Sequence, residues 1–419
     1  MTLTEQRPLT DLAGLVARRT PGLTLEGPFY TDPAVYAADL DAVWGRTWLF
    51  VATEAEVREP GDYVTVDVGP RSVVVVRDDD EQVRALLNVC RHRGARLLED
   101  RSGSVGNIVC SYHQWTYSPD GALLHAGDQP PTFDKGCFSL KKLPVRLVAG
   151  LVFVCFSEVP PADFDEVVDR IEPYLAPHQL ARTKVAAQVD LVEDANWKLV
   201  MENNRECYHC EGGHPELIRT FFPTYGYRGD QVPDRLRPAH TRYLQAEADL
   251  QSACSTLELP FTLLEELHER VSAFRIAREA LDGAGESYTL DGSAASRRLL
   301  GDLDTFRLGR LSLHTQPNAW CHFLADHAVT FSVLPIDVDH TLVRTTWLVH
   351  EEAEEGVDYD LENLTKVWQV TNRQDAALCA RAQRGVSTPG YEPGPYSVSE
   401  YQVDAFVSWY VDRMQDALG

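Results

Sequence analysis

The order of apolar and polar positions changes character several times along the chain, and each change marks an element. From Pro33 to Trp48, the residues Val35, Leu40, Val43, Trp44 and Trp48 recur near a period of 3.6, the spacing of one helical face. From Asp62 the pattern shifts to short β-branched runs: Tyr63 to Val66, Ser72 to Val76, Leu86 to Val89, Asn107 to Val109 and Leu151 to Val154. A helix is predicted from Phe164, stopping before Pro173, which lacks the N–H that a helix interior uses. Lys184 to Val192 reads as a strand and Trp197 to Cys210 as a helix. Residues 225–310 are polar and irregular, with one helical piece around Leu263 to Ala280. Two strands follow, Ala328 to Leu334 and Thr341 to Val349, joined by a turn from Asp337 to His340. A long helix from about Tyr359 to Arg384 places Leu361, Leu364, Trp368, Thr371, Asp375, Leu378 and Ala382 on one stripe. These elements predict an α+β protein. Residues 1–45 form an N-terminal helical segment, 46–160 a small antiparallel β domain, and 161–419 a larger domain with an antiparallel sheet capped by helices.

Two mixed pairs of metal-binding residues interrupt the β-rich part. Cys90-Arg91-His92 and Cys110-Ser111-Tyr112-His113 form a C-x-H-x17-C-x2-H pattern. A Rieske [2Fe–2S] centre needs two thiolates on one iron and two imidazoles on the other, and each loop here supplies one of each. Zinc with two Cys and two His is the competing occupant, but zinc fingers pair Cys with Cys and His with His.

A second constellation lies at Asn203 to Pro215. Glu206 and His209 are three apart and share a helical face, whereas His209 and His214 would lie about 140° out of register on a continuous helix. Gly212-Gly213 is expected to end that helix through positive φ, and Pro215 to forbid its continuation. Two imidazoles and one carboxylate make the facial triad of non-haem Fe(II) oxygenases. The carboxylate chosen is Asp375, because a carboxylate on the core-facing stripe needs a compensating cation. Asp326 and Asp304 are weaker candidates. Glu206 is better placed to bond the free N–H of a ligating imidazole. The C-x2-C formed by Cys207 and Cys210 is set aside as a metal site, since helical spacing turns Cys210 away from the metal-facing side of His209.

Composition narrows the partners. The 419 residues are 44% hydrophobic and carry a formal net charge of −24, which argues against nucleic acid. No apolar run approaches the ~18 residues needed to span a bilayer. Met1 to Arg19 lacks a continuous apolar stretch, so no signal peptide and a soluble cytoplasmic protein are expected. Of nine cysteines, those outside the first constellation, Cys207 and Cys210 included, are expected to be reduced.

The two constellations together resemble the α subunits of Rieske non-haem iron oxygenases over nearly the whole chain, from Gly27-Pro28-Phe29-Tyr30 to the C-terminal helix. Asn196-Trp197-Lys198, Glu202 to Cys210, His214 to Leu217, Asp326-His327 with Thr330-Phe331, and Tyr391 to Tyr396 are similar to the glycine betaine and proline betaine demethylase branch. Glu211-Gly212-Gly213 and Asn318 to Cys321 depart from it. The resemblance implies a [2Fe–2S] cluster on Cys90, His92, Cys110 and His113, and mononuclear Fe(II) on His209, His214 and Asp375. It also implies catalytic roles for Glu206 and Asn203, with Glu206 bridging to a neighbour's cluster in a homotrimer. The implied reaction is O2-dependent N-demethylation of a small quaternary ammonium compound, releasing formaldehyde. Electrons would come from NAD(P)H through a separate flavin/iron–sulfur reductase. Tyr208, Phe221, Phe222, Tyr225, Tyr227, Trp320 and Phe323 are candidates for holding the cation through their faces. The runner-up is oxidation of another small molecule, such as an aromatic acid or a biosynthetic intermediate. A Rieske electron carrier without catalysis would leave the second constellation unexplained.

Overall fold

Valine supplies the first sheets. In the computed structural model, which describes residues 11–418, Asp62–Val68, Arg71–Arg77 and Val83–Leu87 form the middle of a five-stranded sheet. Val73 to Val76 are all buried, so both faces of that strand are covered. A three-stranded sheet formed by Ile108–Val109, Thr116–Tyr117 and Leu123–His125 packs nearby, and these two sheets carry the Cys90 and Cys110 loops. Trp48–Thr53 pairs with Leu151–Cys155, joining the two ends of this β-rich stretch.

The larger part is built on a seven-stranded sheet, and every strand pair described is antiparallel. Thr183–Glu193 lies at one edge, followed in space by Thr341–His350, His327–Pro335, Ala319–Phe323, Arg310–Thr315, Phe274–Glu279 and Leu264–Glu266. The turn between His327–Pro335 and Thr341–His350 closes through Ile336 and Asp337 N–H groups donating to His340 O. One face of the sheet takes the helices Trp197–Asn204, Leu361–Val386 and Tyr401–Leu418. Among the described residues no helix is long and apolar enough to cross a membrane.

The N-terminal segment is described from residue 11; the rest of the predicted 1–45 span, residues 1–10, lies outside the described residues. Its helix Pro33–Asp39 delivers Asp39 into the core, where the carboxylate accepts from Trp197 Nε1 at 3.0 Å, Tyr410 OH at 2.7 Å and Lys198 Nζ. Asp39 and Lys198 are both fully buried. Removing one partner of such a pair costs about 3–5 kcal/mol, because the other charge is left without compensation. The motif Asn196-Trp197-Lys198 therefore has structural work: Asn196 caps the helix by accepting from Lys198 N, and the next two residues anchor the N-terminal segment.

Four local expectations are corrected. The helix at Phe164 runs to Leu175 through Pro173, which sits in its last turn, where one missing N–H costs little. In the polar stretch the helix is Arg237–Thr256, and the residues expected to be helical after Leu263 are the strands Leu264–Glu266 and Phe274–Glu279. Arg275 and Arg278 are buried in that strand and masked its alternation. The helix from Trp197 ends at Asn204 rather than Cys210. There the Glu206 carboxylate accepts from the backbone N–H groups of Tyr208 and His209, a side-chain bond that competes with helical continuation. Finally, Gly212 and Gly213 lie inside a one-turn helix, Cys210–Gly213, and neither has positive φ.

Candidate metal centres and the cavity between them and the sheet

The loops bearing the first constellation are built alike. Cys90 N donates to Ala95 O and Gly94 N to Cys90 O; Cys110 N donates to Trp115 O and Gln114 N to Cys110 O. Both loops turn through a left-handed residue four after the cysteine, Gly94 at φ 77° and Gln114 at φ 58°. Glycine adopts this conformation freely, whereas Gln114 must be held in it by the loop's hydrogen bonds. The turns bury Cys90 and Cys110 and leave His92 and His113 exposed, with ring centroids 4.6 Å apart. Trp115 stacks on His92 at 4.9 Å and 9°. Tyr117 accepts from Arg91 N at 3.0 Å, which leaves its own O–H aimed at Cys90 Sγ, 3.4 Å away. Two buried sulfurs and two outward imidazoles suit a [2Fe–2S] cluster with its histidine-bound iron nearer the surface.

The second constellation brings together His209, His214 and Asp375. His209 Nε2 and His214 Nε2 are 3.0 Å apart, and Asp375 Oδ1 is 3.2 and 3.0 Å from them. Bonds of about 2.1 Å meeting at right angles set adjacent ligand atoms ~3.0 Å apart, so this triangle is one face of an octahedron. Asp375 Oδ1, though buried, makes no oriented hydrogen bond. Burial opposes charge on His209, yet the carboxylates of Asp375 and Glu206 outweigh it and push its pKa up to about 10. His214 shifts upward too, with burial again opposed mainly by Asp375. The triangle is a place that holds positive charge, and its donors fit a divalent iron.

The far nitrogens fix which atoms face inward. His209 Nδ1 meets Glu206 Oε1, and His214 Nδ1 meets Gln374 Oε1 at 2.8 Å, with Gln374 Nε2 donating to Glu216 Oε2 at 3.0 Å. Each acceptor holds the proton on Nδ1, which leaves the Nε2 lone pair for a metal. Sequence reasoning found Glu206 and missed Gln374 and Glu216. Gln374 had a signal, its place beside Asp375.

Cys207 and Cys210, expected to be reduced, form a disulfide. Their Cα atoms lie 4.9 Å apart, within the range that a disulfide spans. Cys210 also lies nearer the triangle than helical spacing implied: its sulfur and ligand atoms of His209 and His214 are within 4.8 Å of one another. Bonded to Cys207, that sulfur offers no thiolate. Asp326 accepts from Ser287 and from the backbone of Ala295 and Ser296, and it pairs with His327, away from the triangle. Asn203 lines the cavity beside Glu206.

That cavity, of about 60 Å³, opens from the triangle toward the sheet and is walled by Phe221, Tyr225, Trp368, His314 and His322. An outer chamber of about 260 Å³ shares Phe221, Tyr225 and Arg310 with it and is lined further out by Phe222, Tyr227 and Tyr401. Among the aromatic candidates, Phe221 and Tyr225 reach the inner cavity, and Phe222 and Tyr227 the outer chamber. Tyr208 is 55% exposed, Phe323 lies in the core cluster on the other face of the sheet, and Trp320 stacks on Phe331. Trp368 was not among the candidates, although it lies two turns before Asp375 on the same helix.

Residues 180–416 match the model of the ring-hydroxylating α-subunit catalytic domain, and residues 47–144 that of the Rieske [2Fe–2S] domain. The chain is 42% identical to the glycine betaine monooxygenase oxygenase subunit of Chromohalobacter salexigens, over 97% of this chain and 89% of that one. It is 39% identical to the subunit of the same name from Pseudomonas aeruginosa, over 97% and 92%. A quaternary ammonium Rieske monooxygenase crystallised with γ-butyrobetaine shares the fold at a TM-score of 0.68 and 22% identity, covering 96% of this chain and 98% of that one.

Proposed function

The chain belongs to the family of Rieske ring-hydroxylating oxygenase α subunits, and on that premise we propose that it removes an N-methyl group oxidatively from a small betaine. The observation that carries this reading is the open triangle of His209, His214 and Asp375 at the end of a small, partly aromatic cavity. Similarity over nearly the full chain to glycine betaine monooxygenase subunits supports the substrate class. One oxygen atom enters the methyl group, and the other leaves as water with two electrons and two protons. The resulting carbinolamine breaks at its C–N bond, giving formaldehyde and the dimethylated amine.

Cys90, His92, Cys110 and His113 would hold the cluster, and His209, His214 and Asp375 the mononuclear iron. When bound, these groups supply single-electron transfer and O2 activation. Glu206 and Gln374 keep the imidazole protons on Nδ1. Phe221, Tyr225 and Trp368 exclude water and offer the methyl groups polarizable surface.

Electrons reach the oxygenase from a separate NAD(P)H-dependent reductase, a flavin/iron–sulfur protein in this reading. We further propose a cytoplasmic homotrimer, with a β domain over 46–160 and a catalytic domain over 161–419. In it the exposed His92–His113 edge of one copy meets the Glu206–Tyr208 surface of the next; the exposed Val89, Val109 and Tyr112 around the first edge support such docking. The test is formaldehyde release from glycine betaine with a reductase, NADH and O2. Glycine betaine and related betaines should give formaldehyde in step with NADH consumed; release from aromatic N-methyl compounds alone would overturn the substrate class.

A further inference from the structure

Beyond the metal triangle, the inner cavity ends on a patch of the sheet where three polar side chains carry buried atoms without a partner. Arg310, Ser312 and His314 alternate along Arg310–Thr315 and so point to one face, and His322 lies opposite Ser312 on the neighbouring strand. All four line the cavity that also holds His209, His214 and Asp375. Ser312 is 1% exposed, and His314 and His322 are each 4% exposed. Ser312 Oγ and the Nδ1 atoms of both histidines are buried without a hydrogen-bond partner. Burial, followed by Arg205 for His314 and by Arg310 for His322, holds both imidazoles well below their usual pKa, so both are neutral and each keeps one N–H to donate.

The charge behind this patch is positive. Arg205 is 1% exposed and is bonded only to the neutral oxygens of Asn204, Gln316 and Ala319, with no ion pair among the described residues. Arg310 is paired, through Glu279 and Tyr288, and its guanidinium lies 4.3 Å from the centroid of Phe221. A buried guanidinium without a counter-ion and three idle donors around one small space are costly unless an anion completes them.

We propose that Ser312, His314 and His322 bind the carboxylate of the substrate, with Arg205 supplying the balancing charge. This deepens the betaine reading and rests on it. The carboxylate end then faces the sheet and the trimethylammonium end the metal triangle, which presents a methyl group rather than the α-carbon for oxidation. Selection of a betaine over an amino alcohol of the same head group follows from hydrogen bonds that only an anion can accept at all three donors.

The test compares glycine betaine with choline, which keeps the trimethylammonium group but replaces the carboxylate with a hydroxymethyl. Binding to the holoenzyme is measured by calorimetry without reductant, so no turnover occurs. Ser312→Ala removes a buried hydroxyl that has no partner, and His322→Phe keeps a ring over Trp368, on which His322 stacks at 4.8 Å. Each should weaken glycine betaine binding about 10- to 100-fold, the worth of a hydrogen bond to a charged group. Choline affinity should stay within about threefold, and Ser312→Ala should not lower the melting temperature, because the hydroxyl makes no bond in the ligand-free fold. Equal losses for both ligands, or an unchanged betaine affinity, would overturn the carboxylate assignment and leave the betaine reading standing. Failure of the wild type to bind any quaternary ammonium would overturn both.

Discussion

Gln374 gives the sharpest test of how the proposed iron site is held. Replacing it with leucine keeps the approximate volume but removes the acceptor that His214 Nδ1–H meets among the described residues, 2.8 Å away. His214 is 1% exposed, so water cannot take the acceptor's place. An unmet buried donor costs about 1–3 kcal/mol. The imidazole can recover part of this by moving its proton to Nε2, and it then ceases to be a ligand. Either route lowers iron affinity, by ~10–100-fold or ~1.4–2.7 kcal/mol. Glu216, which loses its bond from Gln374 Nε2, is half-buried and can be solvated instead. The assay is retention of mononuclear iron against a graded series of chelator concentrations, with the visible spectrum of the cluster as internal reference. Gln374→Glu keeps an acceptor at the same atom and should retain iron. An iron affinity for Gln374→Leu within about threefold of wild type would refute the claim that this residue sets the tautomer of His214.

The remaining expectations are shorter. Asp375→Ala should lose mononuclear iron and keep the cluster spectrum, read by metal analysis, because the triangle loses its only anionic member. Glu206→Gln should leave the cluster reducible and most of the mononuclear iron in place, while stopped-flow reoxidation by O2 and substrate slows sharply. Tyr117→Phe removes the O–H aimed at Cys90 Sγ and should lower the cluster potential, measured by redox titration, since hydrogen bonds to sulfur favour the reduced form. Burial raises Glu202 to about 8 against the opposing effects of Tyr30 and Lys198. Between its ordinary value of 4.5 and about 8, the folded state keeps a proton that the unfolded chain releases. Its contribution is therefore fully present below 4.5 and lost as pH rises through 8, at up to about 1.4 kcal/mol per pH unit. Glu202→Gln should flatten the urea midpoint across that window, and an unchanged slope would refute the assignment.

What could be read in the sequence depended on how local its physics was. The loops at Cys90 and Cys110 are closed by hydrogen bonds within six residues, so spacing alone announced them. Asp375 was legible because a carboxylate on an apolar stripe is an anomaly that sequence periodicity exposes. The strand Phe274–Glu279 was not legible, since Arg275 is buried against Glu265 and Glu279, and Arg278 against the Leu308 carbonyl, partners that only the fold assembles. The helix break after Asn204 depended on where one carboxylate, Glu206, spends its lone pairs. The donor patch at Ser312, His314 and His322 was invisible for a related reason: a histidine in a strand shows its importance only once its ring is seen to lack a partner.

The position of the last helix bears on how the protein is made. Tyr401–Leu418 buries Phe406, Trp409 and Tyr410, and Tyr410 OH holds Asp39 of the N-terminal segment. The candidate cluster ligands fall between residues 90 and 113, so their loops can close while most of the chain is still being synthesised. The candidate iron ligands are split between His214 and Asp375, which at roughly 5–20 residues per second emerge on the order of 10–30 s apart. The core around them cannot seal until the final helix has left the ribosome. Cluster assembly can thus begin before the helix Tyr401–Leu418 exists, whereas the proposed mononuclear iron is expected to be held only once that helix has packed, and truncation before Tyr401 should yield protein that is coloured but poor in mononuclear iron.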